Sequence, residues 1–124
     1  MSNTLLDRFG ELLMTRVRDK AIGDWERIIG GHMKGSRGEL VRQQMSSLTP
    51  EQTRTLLSLI PQIVDTTLHH LLWTVEQEQS VDIVSKDDAG VFRSVREVSD
   101  GLSGELYSDR GWIARFSRKE KSHM

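Results

Sequence analysis

The sequence predicts an α+β domain in which long amphipathic helices come first and a short β-hairpin with a closing segment comes last. Three observations support this order. Apolar residues recur at steps of three and four over residues 4–30 and again over about 50–78, which is the period of an amphipathic helix. The period changes to two over residues 81–85 and 91–95, as in β-strands. Residues 99–117 then contain three glycines among aromatic and charged residues, which predicts short capped helices.

Length and composition indicate a single domain spanning residues 1–124. A chain of 124 residues is too short for two full cores. Its 36% of hydrophobic and 28% of charged residues are typical of a globular protein rather than a disordered one. Residues 118–124 are predicted to form a frayed tail. We expect the two long helices to pack antiparallel, with a short helix between them.

Charge and residue usage narrow the classes of partner and chemistry. The net charge is -1, whereas a nucleic-acid-binding domain needs a clear basic excess, so nucleic acid is not the predicted partner. The chain has no cysteine, which excludes disulfides and thiolate nucleophiles and suits a reducing compartment. No run approaches the roughly 20 apolar residues of a membrane span, and the N-terminus has no signal-peptide core. The sequence therefore predicts a cytoplasmic protein without membrane association.

The first predicted helix has one broad apolar face. The residues on that face are Leu6, Phe9, Leu13, Val17 and Ile28. Gly10 and Gly23 lie inside the helix, where each costs roughly 1 kcal/mol relative to alanine, so close packing is expected at both. Adjacent leucine pairs at 5–6 and 12–13 widen the face. A face this broad predicts either a central helix or a surface shared with a second copy of the chain, and hence a homodimer.

The third predicted helix, over about 50–78, has the strongest apolar stripe in the chain. The run Thr49–Gln52 is a helix start signal, because proline at the first helical position gives up no needed hydrogen-bond donor. Pro61 lies inside the helix and removes one backbone hydrogen bond, so a kink or break is expected near residues 57–60. A short helix over residues 36–48 precedes it.

The two alternating runs predict a β-hairpin. Residues 81–85 and 91–95 are separated by Lys86–Gly90, a loop that ends in glycine. An isolated hairpin is only marginally stable in water, so this one is expected to pack on the helices.

Asp65, His69 and His70 are the strongest candidates for catalysis or metal binding. Asp65 and His69 are four residues apart on one helix, which suits two ligands of a metal ion or a carboxylate that orients a histidine base. A metal site needs at least a third ligand, and no second pair of matching spacing is present, so we predict no metal and no cofactor. The competing interpretation is a pair on the helix surface with His70 partly packed. Acyl-transfer motifs are also absent, and the sequence leans away from an enzyme.

The end segment has the composition of a binding surface, because its aromatic side chains are mixed with charged ones. The residues predicted to bind are Asp100, Glu105, Tyr107, Trp112 and Arg115. The competing interpretation is that Trp112 and Phe116 close the core beneath the hairpin, since a domain this small needs most of its large apolar side chains for stability.

Two parts of the chain resemble a family of small bacterial proteins. The run Ser99–Tyr107 followed by Gly111–Ser117 is similar to the end of those proteins, and Val64–Trp73 is similar to one of their segments. The resemblance implies a bacterial source and a compact fold. No activity is assigned to the family, so the resemblance implies no mechanism.

These observations favour a non-catalytic protein-interaction module, such as an immunity protein or a small regulator, whose partner is another protein. Such a protein needs only a surface, which matches the missing catalytic signature. The alternative is a small metal-dependent or acid–base enzyme that uses the Asp65, His69 and His70 face. A third interpretation is a structural or oligomeric protein whose sequence is explained by folding alone.

Overall fold

The computed structural model describes residues 4–119 and has the predicted α+β architecture. The helices are α1 (Thr4–Leu13), α2 (Asp19–Ile29), α3 (Ser36–Met45), α4 (Pro50–Gln77) and α5 (Trp112–Phe116). The strands are β1 (Val84–Lys86) and β2 (Phe92–Ser94), and a 3-10 helix spans Leu102–Leu106. Most of the tail predicted over residues 118–124 lies outside the described residues. Over residues 4–119, no helix is both long enough and apolar enough to cross a membrane.

A wide helical turn between α1 and α2 changes which residues face the core. In the π-helical segment Met14–Arg18 the Asp19 N–H donates to the Met14 carbonyl, five residues back, so this turn contains one additional residue. Met14 and Arg18 are completely buried, whereas Val17 is nearly half exposed. The prediction that Val17 shares one face with Leu6 and Leu13 was therefore wrong, because it assumed an unbroken α-helical period.

The core lies where α1, α4 and the C-terminal third of the chain meet. Trp112 is completely buried and its ring packs edge-on against Phe9, with ring centroids 5.6 Å apart. A Cβ atom at Gly10 would overlap the Trp112 ring, so the close packing predicted at this glycine is confirmed. At Gly23 it was wrong, since an added Cβ would meet nothing nearer than Lys119 Cε at 3.7 Å.

Helix α4 begins as the sequence predicts and continues past the expected break. Thr49 Oγ1 accepts from the Gln52 N–H at 3.1 Å, and Gln52 Oε1 accepts from the Thr49 N–H at 2.9 Å, which completes a capping box. The helix then runs through Pro61 to Gln77 without a break. Pro61 is itself buried, so packing of its ring offsets part of the lost hydrogen bond.

The predicted hairpin forms, but each strand has only three residues, and β1 includes Lys86, which was predicted to belong to the loop. Ser85 pairs with Arg93 in the antiparallel register. Arg96 lies just beyond β2, and its Nη1 donates to the carbonyl oxygens of Val75, Glu78 and Val81. One guanidinium thus connects the C-terminal turn of α4 to the chain that enters the hairpin.

Candidate functional site

A buried ion pair joins the first helical region to α4. Arg18 Nε donates to Asp65 Oδ1 at 2.6 Å and Arg18 Nη2 donates to Asp65 Oδ2 at 3.1 Å. Both side chains are completely buried. The planar guanidinium therefore meets both carboxylate oxygens, which is the strong bidentate form of this contact. The π-helical segment places Arg18 inward, because its additional residue turns position 18 toward α4.

The C-terminal segment closes over this ion pair through Ser117. Arg18 Nη1 donates to Ser117 Oγ at 2.7 Å, and Ser117 Oγ donates to Asp19 Oδ1 at 2.7 Å. The Arg118 N–H donates to Asp19 Oδ2 at 2.8 Å. Because these groups bond to one another, their role is structural: they hold residues 117 and 118 against the start of α2.

The predicted Asp65, His69 and His70 cluster is divided among different environments. Asp65 accepts from Arg18, His69 is half-buried, and His70 is exposed. The His69 ring lies 6.0 Å from the Tyr107 ring, and its buried Nδ1 has no hydrogen-bond partner among the described residues. Across residues 4–119, no group of three or more His, Asp or Glu residues has the arrangement of a metal site. The Asp65 carboxylate therefore faces a guanidinium and not the His69 ring.

Tyr107 lies beside the ion pair. Its Oη is 3.5 Å from the Asp65 carbonyl oxygen, at the long limit of a hydrogen bond. Burial raises the pKa of the Tyr107 hydroxyl, the Asp65 carboxylate adds to the rise, and Arg18 opposes it. The phenol therefore remains protonated to higher pH than a free tyrosine.

The five residues predicted to bind do not form one exposed patch. Trp112 has no exposed surface and belongs to the core, so it offers nothing to a partner, and the competing core interpretation describes it correctly. Tyr107 is half-buried, and Glu105 accepts from Ser99 Oγ at 2.7 Å. Arg115 is exposed and donates to Asp7 Oδ1 at 3.0 Å, and Asp100 is exposed. Binding by the four residues other than Trp112 stays a prediction.

A second surface, which the sequence reasoning missed, lies on the side of α4 that faces away from the core. We call it the outer face. Its exposed residues are Leu59, Ile63, Thr66, Thr67, His70, Leu71, Trp73 and Thr74. The exposed fractions of its four large apolar residues are 42% for Leu59, 58% for Ile63, 49% for Leu71 and 47% for Trp73. Over residues 55–74 Asp65 is the single Asp, Glu, Lys or Arg, and it is buried against Arg18.

An apolar groove of about 410 Å³ adjoins the outer face between α2, α3 and α4. Trp25, Val41, Met45 and Ile60 are among its lining residues, and Gln44 is the single polar one. Ile63 lines both this groove and a shallower depression on the outer face. The groove and the outer face therefore adjoin at Ile63.

The signal for the outer face was present in the sequence. The apolar residues of α4 occupy two sides of the helix, and the absence of charge over residues 55–74 apart from Asp65 contrasts with the 28% of charged residues in the whole chain. Periodicity alone did not tell which side faces the core.

Comparisons with protein-family models, with curated proteins and with solved structures give no match to this chain.

Proposed function

We propose that this chain is a non-catalytic protein-interaction module and that the outer face of α4 is its binding surface. The observation that supports the proposal is the combination of exposure and missing charge on this face. Charged residues are depleted and aromatic residues enriched at the centres of protein interfaces. An exposed helical side with four large apolar residues and no Asp, Glu, Lys or Arg has the same composition.

Energetics favour a covered outer face. Each large apolar side chain that leaves water contributes about 1.5–3 kcal/mol when fully buried. The four side chains on this face are about half exposed in the single chain, so a partner that covers them recovers part of that stabilisation. The adjoining groove extends the surface with further apolar side chains and suits the apolar face of a partner helix.

This proposal relocates the site predicted from the sequence. The end segment places its largest aromatic residue, Trp112, in the core, whereas Trp73 on α4 is nearly half exposed. The expected homodimer also needs a new surface. Leu5, Leu6 and Leu13 of the broad first helix are all buried within one chain, so the leucine pairs that predicted a shared face are mostly used in the core.

The biological setting that we propose is the bacterial cytoplasm, where the chain acts as an immunity protein or a small regulator. The lack of cysteine suits a reducing compartment. The alternative, an acid–base or metal-dependent enzyme on Asp65, His69 and His70, has no further observation in its favour, because Arg18 engages both Asp65 oxygens.

Site-specific photo-crosslinking in cells tests the proposal. A photoreactive phenylalanine analogue replaces Leu59 on the outer face, and a matched variant carries it at Gln43, an exposed position on α3 away from the groove lining. We expect a discrete crosslinked protein with the Leu59 variant and none with the Gln43 variant. Equal labelling at both positions, or none at either, would contradict an interaction surface on α4.

A further inference from the structure

We infer that the partner on the outer face is a second copy of this chain, with the two α4 helices packed antiparallel about a two-fold axis. The inference depends on the proposed function, since it names the partner of the same surface. The spacing, the size and the charge of the side chains along α4 support it.

The outer face has the spacing of a coiled-coil seam. Residues that are not Asp, Glu, Lys or Arg follow one another at alternating steps of four and three along the side of the helix that includes the outer face and extends beyond both its ends. They are Gln52, Leu56, Leu59, Ile63, Thr66, His70, Trp73 and Gln77. Seven-residue spacing of this kind keeps the seam facing a partner helix that crosses at about 20°. Leu71 lies beside the seam on the outer face, whereas Leu68, Leu72 and Val75 lie on the other side of the helix and are buried in the core.

The order of side-chain sizes along the seam favours the antiparallel orientation. In an antiparallel pair the two kinds of seam position alternate across the interface, so Ile63 meets Thr66 of the second copy. Leu59 then meets His70, which places an aliphatic residue against an aromatic one. A parallel pair would instead place Trp73 against Trp73 and Thr66 against Thr66. The two large rings would hold the helices apart at one end, and the two small threonine side chains would leave unfilled space in the middle.

The charge pattern favours a second copy over a different protein. Charges at the positions that flank a coiled-coil seam normally select the partner and its orientation. Here the flanking positions between Thr55 and Thr74 are all free of Asp, Glu, Lys and Arg. A two-fold interface brings each group near the axis close to its own copy, where any charge would meet a like charge. An uncharged seam is therefore complementary to itself.

The available length is sufficient for a weak dimer. Residues Gln52–Gln77 overlap over about 38 Å when each residue adds 1.5 Å, and a helix with its side chains is about 10 Å wide. That strip covers about 380 Å² on each copy, or about 760 Å² in total, which is below the roughly 1,200–2,000 Å² of stable interfaces and in the range of weak, transient ones. We therefore expect a dissociation constant in the micromolar range.

Disulfide crosslinking tests the orientation, because the chain has no native cysteine that could react instead. Two variants, Leu59→Cys and His70→Cys, are oxidised separately and as a mixture. In the antiparallel dimer the thiol introduced at position 59 of one copy faces the thiol introduced at position 70 of the other, within the roughly 7 Å that a disulfide spans between Cα atoms. The two copies of position 59 would lie about 16 Å apart along the helix. We expect a mixed disulfide in the mixture and no homodisulfide of either variant alone; a homodisulfide of Leu59→Cys alone would overturn the antiparallel arrangement.

Sedimentation equilibrium from micromolar to near-millimolar concentration tests the dimer itself. We expect the mass of two chains for the native protein and for a control, Gln43→Lys, at an exposed position on α3. Ile63→Lys places two like charges near the axis and removes two apolar contacts, so association should weaken at least about 100-fold. Far-UV circular dichroism checks that this variant is folded.

The outcomes separate the inference from the proposed function. A single-chain mass throughout, with discrete photo-crosslinks from Leu59 to another protein, overturns the second copy and leaves the interaction module standing. A dimer that Ile63→Lys does not weaken overturns the α4 interface. If Leu59 then gives no crosslinked product either, the proposed function fails with it.

Discussion

Replacement of Arg18 by methionine removes the cation of a completely buried ion pair and leaves its anion in place. Asp65 would lose two charge-assisted hydrogen bonds, of 2.6 and 3.1 Å, in a site from which water is excluded. Removal of one partner of a buried pair costs about 3–5 kcal/mol. The Asp19 carboxylate, which lies 3.5 Å from Arg18, would also lose its cation, so we expect a loss at the upper end of that range.

Removal of the anion of the pair should lower the free energy of unfolding by less than removal of the cation. In Asp65→Leu the guanidinium of Arg18 still faces Asp19 and Ser117, so we expect the free energy of unfolding to fall by about 3 kcal/mol. The double variant Arg18→Met with Asp65→Leu replaces the pair by apolar side chains, which is often neutral or even stabilising. Asp19 keeps its bonds from Ser117 Oγ and the Arg118 N–H. We therefore expect the double variant to be more stable than Arg18→Met alone.

Urea unfolding monitored by tryptophan fluorescence measures these free energies, because Trp112 is completely buried and reports on the core. The four proteins of the cycle give a coupling free energy between Arg18 and Asp65. A loss in the double variant equal to the sum of the two single losses would refute the reasoning, since the two residues would then act independently.

Three further predictions concern packing, pH and the helix cap. Gly10→Ala should lower the free energy of unfolding by about 1–3 kcal/mol, because its Cβ overlaps the Trp112 ring. Gly23→Ala should be neutral or should stabilise the protein by up to about 1 kcal/mol. Equal urea midpoints for the two variants would contradict the packing described. Folding raises the pKa of Tyr107, so the stabilisation from its protonated hydroxyl is complete below about pH 10 and is lost as pH rises through the raised value. Absorbance titration of this single tyrosine measures the shift, and Tyr107→Phe should retain more of its stability at alkaline pH. Thr49→Ala should cost about 1 kcal/mol in thermal or urea unfolding, and no measurable loss would show that the capping box is not needed.

Local signals predicted the helices well and failed where a distant contact decides the local geometry. The capping residues Thr49 and Gln52 mark the start of α4 because their bonds are made within one turn. The inward turn of Arg18 depends instead on Asp65, which lies 47 residues away. Periodicity contains no information on such a pairing, so the predicted apolar face included Val17 and not Arg18.

The candidate site was harder to predict than the fold. Trp112 looked like a binding residue because its neighbours in sequence are charged, but its place is set by Gly10, at the other end of the chain. The outer face of α4 was overlooked because apolar residues on a helix usually mean core. Only the packing of α4 on the rest of the chain tells that Leu68 faces inward and Ile63 outward.

The meeting of α5 with α1 has a consequence for how the protein is made. On the ribosome the chain emerges from its N-terminus, so Arg18 and Asp65 are both available long before Ser117 is synthesised. Until then the position beside Gly10 has no indole to fill it, and the ion pair has no cover from the C-terminal segment. A nascent chain can therefore form its helices early but can complete its core only after Trp112 and Ser117 have been synthesised, and the apolar sides of α1 and α4 stay uncovered until then.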